Sequence, residues 1–228
     1  MEMLADKGDG NYSYLDSLNE ARKVLLKEAG STLITIAKDV KIQVEFNPGT
    51  VAGYRLLGYE NRMLAAQDFN DDKKDAGEIG AGHSVTALYE IVPAGVAMDT
   101  PSVDPLKYQA PAASARTEPR GSTTDELATV KLRFKAADAG EGDASRLITT
   151  VLRNQPRAMT ANLGFASAVA EVGLLLRQST HAGHAAFESA ITRARTFRQD
   201  DSEGYRAEFV NLAELASQLK GLQLTTRR

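Results

Sequence analysis

The stretch Val40-Lys-Ile-Gln-Val-Glu-Phe46 decides the fold, because every even position is apolar and every odd position is charged or polar. A β-strand sends successive side chains to opposite faces, so this alternation predicts a strand with one buried apolar face and one wet face. Thr32–Ala37 keeps the same parity across Lys38 and Asp39, which predicts either one long bent strand or two strands. Such alternation is typical of antiparallel sheets.

Further strands are predicted on both sides of a proline-rich stretch. Five of the seven prolines lie in residues 93–124, so this segment is predicted to be a linker or loop outside the sheet. Asn47-Pro-Gly-Thr50 is strong turn chemistry. The predicted strands that flank the turn and the loop are Val51–Tyr59, Ser84–Val92, Glu126–Lys135 and Ser145–Leu152, of which the last two form a hairpin.

Helical periodicity dominates the end of the chain and one segment near its start. After Pro156, three helices are predicted over 160–177, 184–197 and 203–219. The core-facing stripe of the third is predicted to hold Tyr205, Phe209, Leu212, Leu215 and Leu219. A capping box at Ser17–Glu20 starts a helix over 17–29, after a short strand at Tyr12–Leu15. The fold class is therefore α+β: an antiparallel β-sandwich followed by a C-terminal bundle of about three helices.

Composition narrows the classes of function. The 228 residues carry 27 Lys+Arg against 30 Asp+Glu, a formal charge of −3, which disfavours a nucleic-acid partner. Without cysteine, the chain can form no disulfide, thiolate metal site or cysteine nucleophile. No segment approaches the roughly 18 apolar residues of a transmembrane helix. The first ten residues are acidic and glycine-rich where a signal peptide is basic and apolar, so no export signal is predicted.

The candidate binding site is a group of residues within and just after the Val51–Tyr59 strand. Its residues are Tyr54, Arg55, Tyr59, Asn61 and Arg62. One interpretation is structural, in which an Arg–Glu pair and the Asn amide pin the long excursion that follows. The other is a protein-contact surface, because tyrosine and arginine are enriched at binding hot spots.

The only alternative centre for chemistry is the Asp68–His83 region. Asp68-x-Asn70-x-Asp72 resembles the start of a calcium loop, but Lys73 and Ile79 occupy the positions of the required Gly and Glu. A hydrolase or metal-dependent enzyme here would need Asp68, Asp72, Glu78 and His83 to converge in one pocket. The local spacing gives no such constellation, so no catalytic, metal-binding or cofactor-binding residue is assigned and the chain is expected not to be an enzyme.

Several long motifs resemble one bacterial family of von Willebrand factor type A domain-containing proteins. Gly10–Leu25 resembles the last strand and helix of the A domain. Four further motifs resemble the uncharacterised domain that follows the A domain in these proteins. They are Ala37–Pro48, Tyr54–Arg62, Asp75–Glu90 and Gly204–Phe209. The resemblance implies a division into an A-domain remnant at 1–30, a β-sandwich domain at 31–152 and a helical region at 153–228.

The resemblance also implies what this chain lacks. The A domain of such proteins binds a divalent ion through an Asp-x-Ser-x-Ser loop, which does not occur here and would lie upstream of residue 1. The chain is therefore expected to be part of a longer protein, and the apolar face of the 17–29 helix either to pack on the sandwich or to drive self-association. The implied function is a non-enzymatic interaction or scaffold module that accompanies an A domain in an envelope or assembly protein, with a protein partner.

Overall fold

The computed structural model describes residues 4–5, 12–59, 63–96, 125–140 and 142–226. Near the start are helix α1 (Leu18–Arg22), a π-helical segment (Lys23–Lys27) and helix α2 (Ala29–Leu33). The six described strands are β1 (Thr35–Phe46), β2 (Val51–Leu57), β3 (Gly77–Gly80), β4 (Leu88–Pro93), β5 (Glu126–Ala136) and β6 (Arg146–Arg153), with a 3₁₀ turn at Ala66–Asn70. The last elements are helices α3 (Ala161–Leu176), α4 (Phe187–Thr196) and α5 (Tyr205–Thr226).

The strands form two antiparallel sheets. One has four strands in the order β3-β1-β5-β6, and the other pairs β2 with β4. The predicted α+β class is confirmed, and so is the predicted hairpin, in which Lys131 pairs with Thr149 and Arg133 with Leu147. Strand β3 was not predicted, because Gly-Glu-Ile-Gly is short and rich in a residue that weakens strands.

A β-bulge in β1 overturns the predicted parity of its two halves. Lys38 pairs with Lys135 and Lys41 with Arg133, so β1 has one residue more than β5 over this span. Asp39 adopts a φ of 51°, a left-handed conformation that Asp tolerates better than most residues. An extra residue exchanges the two faces of a strand. Ile36 therefore lies on the face opposite Ile42, although the sequence placed them together.

The turn between β1 and β2 forms as its sequence predicts. The side-chain Oδ1 of Asn47 accepts a hydrogen bond from Gly49 N at 2.9 Å, as in an Asx turn. Asn47 also binds the start of β5, because its N donates to Leu127 O at 2.9 Å and its Nδ2 to Glu126 O at 2.8 Å. These bonds fix the turn against the start of β5.

The N-terminal segment differs from its prediction. Residues 12–16 form no strand, and the helix expected over 17–29 is interrupted by the π-helical segment. Ser17 does cap α1, accepting a hydrogen bond from Glu20 N at 3.2 Å. Leu18 is 82% exposed and Leu25 is also exposed, so the apolar face of this helix does not pack on the sheet. Self-association through it stays a prediction.

The chain divides into two compact units. The sheet unit comprises Met1–Arg55, Tyr59–Val85 and Glu90–Gln155. The helical unit comprises Leu56–Gly58, Thr86–Tyr89 and Pro156–Arg228. The domain boundaries drawn from the sequence stay predictions. Most of the proline-rich 93–124 segment, from residue 97 onward, lies outside the described residues, as do residues 6–11.

The helical unit has an apolar core of its own. Its buried residues are Ala168, Val172, Leu175, Phe187, Ala190, Ile191, Ala194, Val210 and Ala213. Gly164 lets the ring of Phe197 approach α3, since a Cβ at Gly164 would lie 2.4 Å from that ring. The stripe predicted for the third helix is wrong in part, because Leu212, Leu215 and Leu219 are exposed while Val210 and Ala213 face the core. Small residues permit the close packing of α5.

Candidate functional site

Tyr54 is the predicted contact residue that the structure exposes most clearly. Its side chain is 59% exposed, and its ring lies 4.5 Å, centroid to centroid, from that of Phe46 across the turn. The two rings are tilted by 36°, within the range of favourable aromatic pairs. Phe46 therefore supports Tyr54 from one side and leaves the rest of its ring open to a ligand.

The other predicted residues do not join Tyr54 in one cluster. Arg55, the next residue along β2, points to the opposite face and forms an ion pair with Glu90 of β4. Tyr59 is partly exposed at the end of the strand, where Gly58 and Tyr59 have φ angles of 82° and 60°. Asn61 and Arg62 lie outside the described residues. Of the predicted residues that the structure describes, Tyr54 is the one that borders a larger apolar surface.

That larger surface is one face of the four-stranded sheet. The register places side chains in three rows across β1, β5 and β6. The rows are Ile42–Leu132–Ile148, Val44–Val130–Thr150 and Phe46–Ala128–Leu152, and we call these nine residues the apolar face. Ile42 is 54% exposed, Ile148 is 50% exposed and Leu152 is exposed as well. Tyr54 borders the apolar face through its contact with Phe46.

The opposite face of the same sheet buries two lysines. Lys41 and Lys135 are only 3% and 4% exposed. Lys41 Nζ donates to Asp71 O at 2.5 Å, and Lys135 Nζ donates to Asp72 O at 2.9 Å and pairs with Asp39 Oδ2 at 2.8 Å. The hydrogen bond that Lys135 donates to Asp39, together with the charge of Asp39, raises the pKa of Lys135 above 10.5 despite burial. The 66–76 segment thus binds the ammonium groups of both lysines, and Asp39 at the bulge also binds that of Lys135.

Asp72 connects this segment to the β5–β6 hairpin. Its carboxylate accepts a hydrogen bond from Ser145 Oγ at 2.5 Å and another from Ser145 N at 3.4 Å. The bond from the Ser145 hydroxyl is the main cause that lowers the pKa of Asp72 below 3.8, and the nearby Arg133 acts in the same direction. Arg133 also donates to Asn70 Oδ1 at 3.0 Å and lies over the ring of buried Phe69.

These contacts overturn the expectation that the apolar side of β1 is the buried side. Phe69 and the carbonyls of Asp71 and Asp72 cover the charged side, so Lys41 is buried while Ile42 is half-exposed. A lysine can be buried when its charge is paired and its donors are bound. Sequence reasoning missed this role for both lysines. The available signal was the alternation of Lys131, Arg133 and Lys135 with an acidic loop elsewhere in the chain.

The four residues of the alternative centre do not converge, and three of them have separate partners. Asp68 pairs with Lys74 at 3.8 Å, Asp72 binds Ser145, and Glu78 accepts a hydrogen bond from Thr35 Oγ1 at 3.0 Å. His83 is exposed at the turn after β3. Among the residues that the structure describes, no three of the histidine, aspartate and glutamate side chains are grouped so as to hold a metal ion. The geometry lends no support to a reaction centre in this region.

Comparison with known proteins gives a family. A family model described as "Uncharacterized protein YfbK, C-terminal" matches residues 31–219. The "Uncharacterized protein YfbK" of Escherichia coli (strain K12) is 41% identical over 216 residues, which are 95% of this chain and 36% of the relative. The chain thus spans about a third of the length of that curated relative. No solved structure matches this chain. None of the helices within the described part of the chain is long and apolar enough to cross a membrane.

Proposed function

The chain belongs to the family of YfbK C-terminal domains, and from this premise we propose that it is a non-enzymatic protein-interaction module. The observation that supports the proposal is the apolar face, which is bordered by exposed Tyr54 and holds half-exposed Ile42 and Ile148. Contiguous exposed apolar surface marks protein-interaction sites more often than chance. Tyrosine is also one of the residue types enriched among binding hot spots.

The difference between the two faces of the four-stranded sheet favours the same role. The 66–76 segment stabilises the charged face with buried lysines and hydrogen bonds, so the sheet unit does not rely on the apolar face alone for its own cohesion. A rigid sheet that presents apolar side chains in regular rows is well suited to a partner surface. In the wider protein, we propose that this module accompanies a von Willebrand factor A-like domain and scaffolds its contacts in a bacterial envelope or assembly protein.

The test replaces single side chains of the apolar face and measures partner capture by the full-length protein. Tyr54→Ala and Ile42→Ser are expected to weaken capture about tenfold or more, because anchors of an interface often contribute above about 1.4 kcal/mol. Tyr14→Ala is the matched control, since Tyr14 is an exposed tyrosine outside the apolar face. Circular dichroism should show that all three variants keep the secondary structure of the parent protein.

A second arm separates this module from a metal-dependent domain elsewhere in the protein. Capture that persists with a chelator and with this chain alone supports recognition by the apolar face. Capture that needs the longer protein, is lost with a chelator and is unchanged by Tyr54→Ala would refute it, because recognition would then lie outside this chain.

A further inference from the structure

The two edges of the four-stranded sheet are built differently. Edge strand β3 has four residues, two of which are glycines, and its pairing with β1 is irregular at two places. Short, irregular edges of this kind prevent pairing with another chain. Edge strand β6 has eight residues, all exposed, and its pairing with β5 is regular from Ala128↔Leu152 to Phe134↔Arg146. Within the described residues, the β6 edge is neither short nor irregular, so it lacks the two features that protect the β3 edge from pairing.

The sequence of β6 adds to this contrast. Its six central residues, Leu147-Ile-Thr-Thr-Val-Leu152, include no charge, proline or glycine and are dominated by β-branched side chains. Natural edge strands usually carry a lysine, a proline or an inward charge that deters pairing. The nearest charges are Arg146 and Arg153 at the two ends, and Arg153 is already paired with Asp125 of its own chain.

The strand Arg146-Leu-Ile-Thr-Thr-Val-Leu-Arg153 can also pair with its own copy without placing like charges opposite each other. When two identical strands pair antiparallel about a two-fold axis perpendicular to the sheet, the axis lies midway between the two copies of one residue. Those two copies are therefore directly opposite each other. With Thr150 on the axis, Ile148 lies opposite Leu152 of the second copy and Thr149 opposite Val151. No two arginines are opposed in this register, and the apolar pairs fall on the apolar face.

We propose that β6 pairs with β6 of a second copy of this chain, which joins two four-stranded sheets into one continuous sheet of a symmetric homodimer. The pairing satisfies the outward backbone donors and acceptors of β6 and extends the three rows of the apolar face across the axis. It uses the sheet edge, and it does not depend on which protein the apolar face binds.

The first test is the oligomeric state of the full chain by sedimentation equilibrium. The parent chain is expected to dimerise. Thr150→Lys would place two lysines side by side on the axis and is expected to raise the dimer dissociation constant about fivefold or more. Thr192→Lys is the matched control, because Thr192 is an exposed residue of α4 in the helical unit and its substitution should change nothing. A monomer at every concentration would overturn the proposal.

The second test reads the register and uses the absence of cysteine from the chain. Residues directly opposite in an antiparallel pair have Cα atoms about 4.5–5.5 Å apart, which is within disulfide range. Thr150→Cys should therefore give a disulfide-linked dimer under mild oxidation, Thr149→Cys much less of it, and Thr192→Cys none. A dimer that forms no crosslink at Thr150, or that crosslinks only through cysteines placed in the 18–33 segment, would also overturn the pairing.

Discussion

The helical unit and the sheet unit of this chain bury different kinds of residue. The described core of the helical unit is a single cluster of nine small or apolar residues. In the sheet unit, the buried apolar residues are Val51, Phe69 and Ala128, and they are accompanied by the charged Lys41 and Lys135. The helical unit is therefore stabilised mainly by apolar packing, whereas the sheet unit also depends on paired charges and hydrogen bonds and exposes apolar side chains.

This difference bears on function. The helical unit also exposes apolar side chains, Leu212, Leu215 and Leu219 of α5 among them, but these do not form rows across neighbouring strands as the side chains of a sheet do. The four-stranded sheet buries two lysines on one face. On the other face it exposes Ile42, Ile148 and Leu152, although Ala128 is buried there, so this face has surface available for a partner and for a second copy. Changes in the two units should therefore have different consequences for stability and for association.

The largest expected effect is in the helical unit. Phe187 is buried in the core cluster and lies beneath the ammonium group of Lys220, so Phe187→Ala should lower the free energy of unfolding by about 3–5 kcal/mol. Ile148→Ala, on the half-exposed apolar face, should lower it by less than about 1 kcal/mol. Urea denaturation followed by circular dichroism, with hydrogen exchange to assign the loss to a unit, measures both. Equal losses would remove the distinction between the units.

A smaller effect is expected from the charged face of the sheet. Lys41→Met removes the hydrogen bond to Asp71 O from a buried site and should destabilise the sheet unit by about 1–2 kcal/mol. Lys131→Met is the matched control on the same face, since Lys131 forms a solvent-exposed pair with Glu45 at 3.3 Å and should contribute below about 1 kcal/mol. If Lys41→Met left hydrogen exchange in β1 unchanged, or slowed it, burial of that lysine would not support the sheet.

The smallest effect is a pH dependence carried by Asp72. Because its pKa in the folded protein lies below 3.8, Asp72 stabilises the fold above that pH, and the contribution is lost as the pH falls through the lower folded value. Asp72→Asn should therefore cost below about 1 kcal/mol between about pH 5 and 8, and the difference from the parent should shrink below pH 3.8.

Ser145→Ala provides the check on this cause. Its hydroxyl donates the hydrogen bond that most lowers the pKa of Asp72, so its removal should shift the acid limb of the stability curve toward higher pH. Adding Ser145→Ala to Asp72→Asn should have little further effect on that limb. An acid limb unchanged by Ser145→Ala would mean that another group carries the pH dependence.

The sequence predicted most of the local structure because the signals for it are local. Alternation located β1 and β5, and the Asn47–Thr50 turn forms with the hydrogen bonds that its residues favour. The hairpin of β5 and β6 followed from two predicted strands on either side of a turn, and the three late helices from the change of period after Pro156. Strand β3 was missed because Gly-Glu-Ile-Gly forms a strand only where β1 supplies its partner.

The candidate site was only partly predictable. Tyr54 was predicted because tyrosine is enriched at binding hot spots, but its support by Phe46 depends on the turn that brings β1 and β2 together. Arg55 was grouped with Tyr54 by proximity in sequence, whereas alternation along β2 sends it to the other side, where it pairs with Glu90. The lysines were missed because their partners are distant in sequence. Asp71 is 30 residues from Lys41, and Asp72 is 63 residues from Lys135.

By itself, the sequence determined where strands, turns and helices form and which neighbouring side chains share a face, since dihedral preference and periodicity act over a few residues. Only the tertiary structure decided which face of the sheet is covered. That choice depends on a segment about 30 residues distant, 66–76, whose carbonyls bind Lys41 and Lys135, and on a one-residue bulge at Asp39 that exchanges the faces of β1. The alternation of side chains predicts neither the contacts of the 66–76 segment nor the bulge, because both depend on residues that are far apart in the chain.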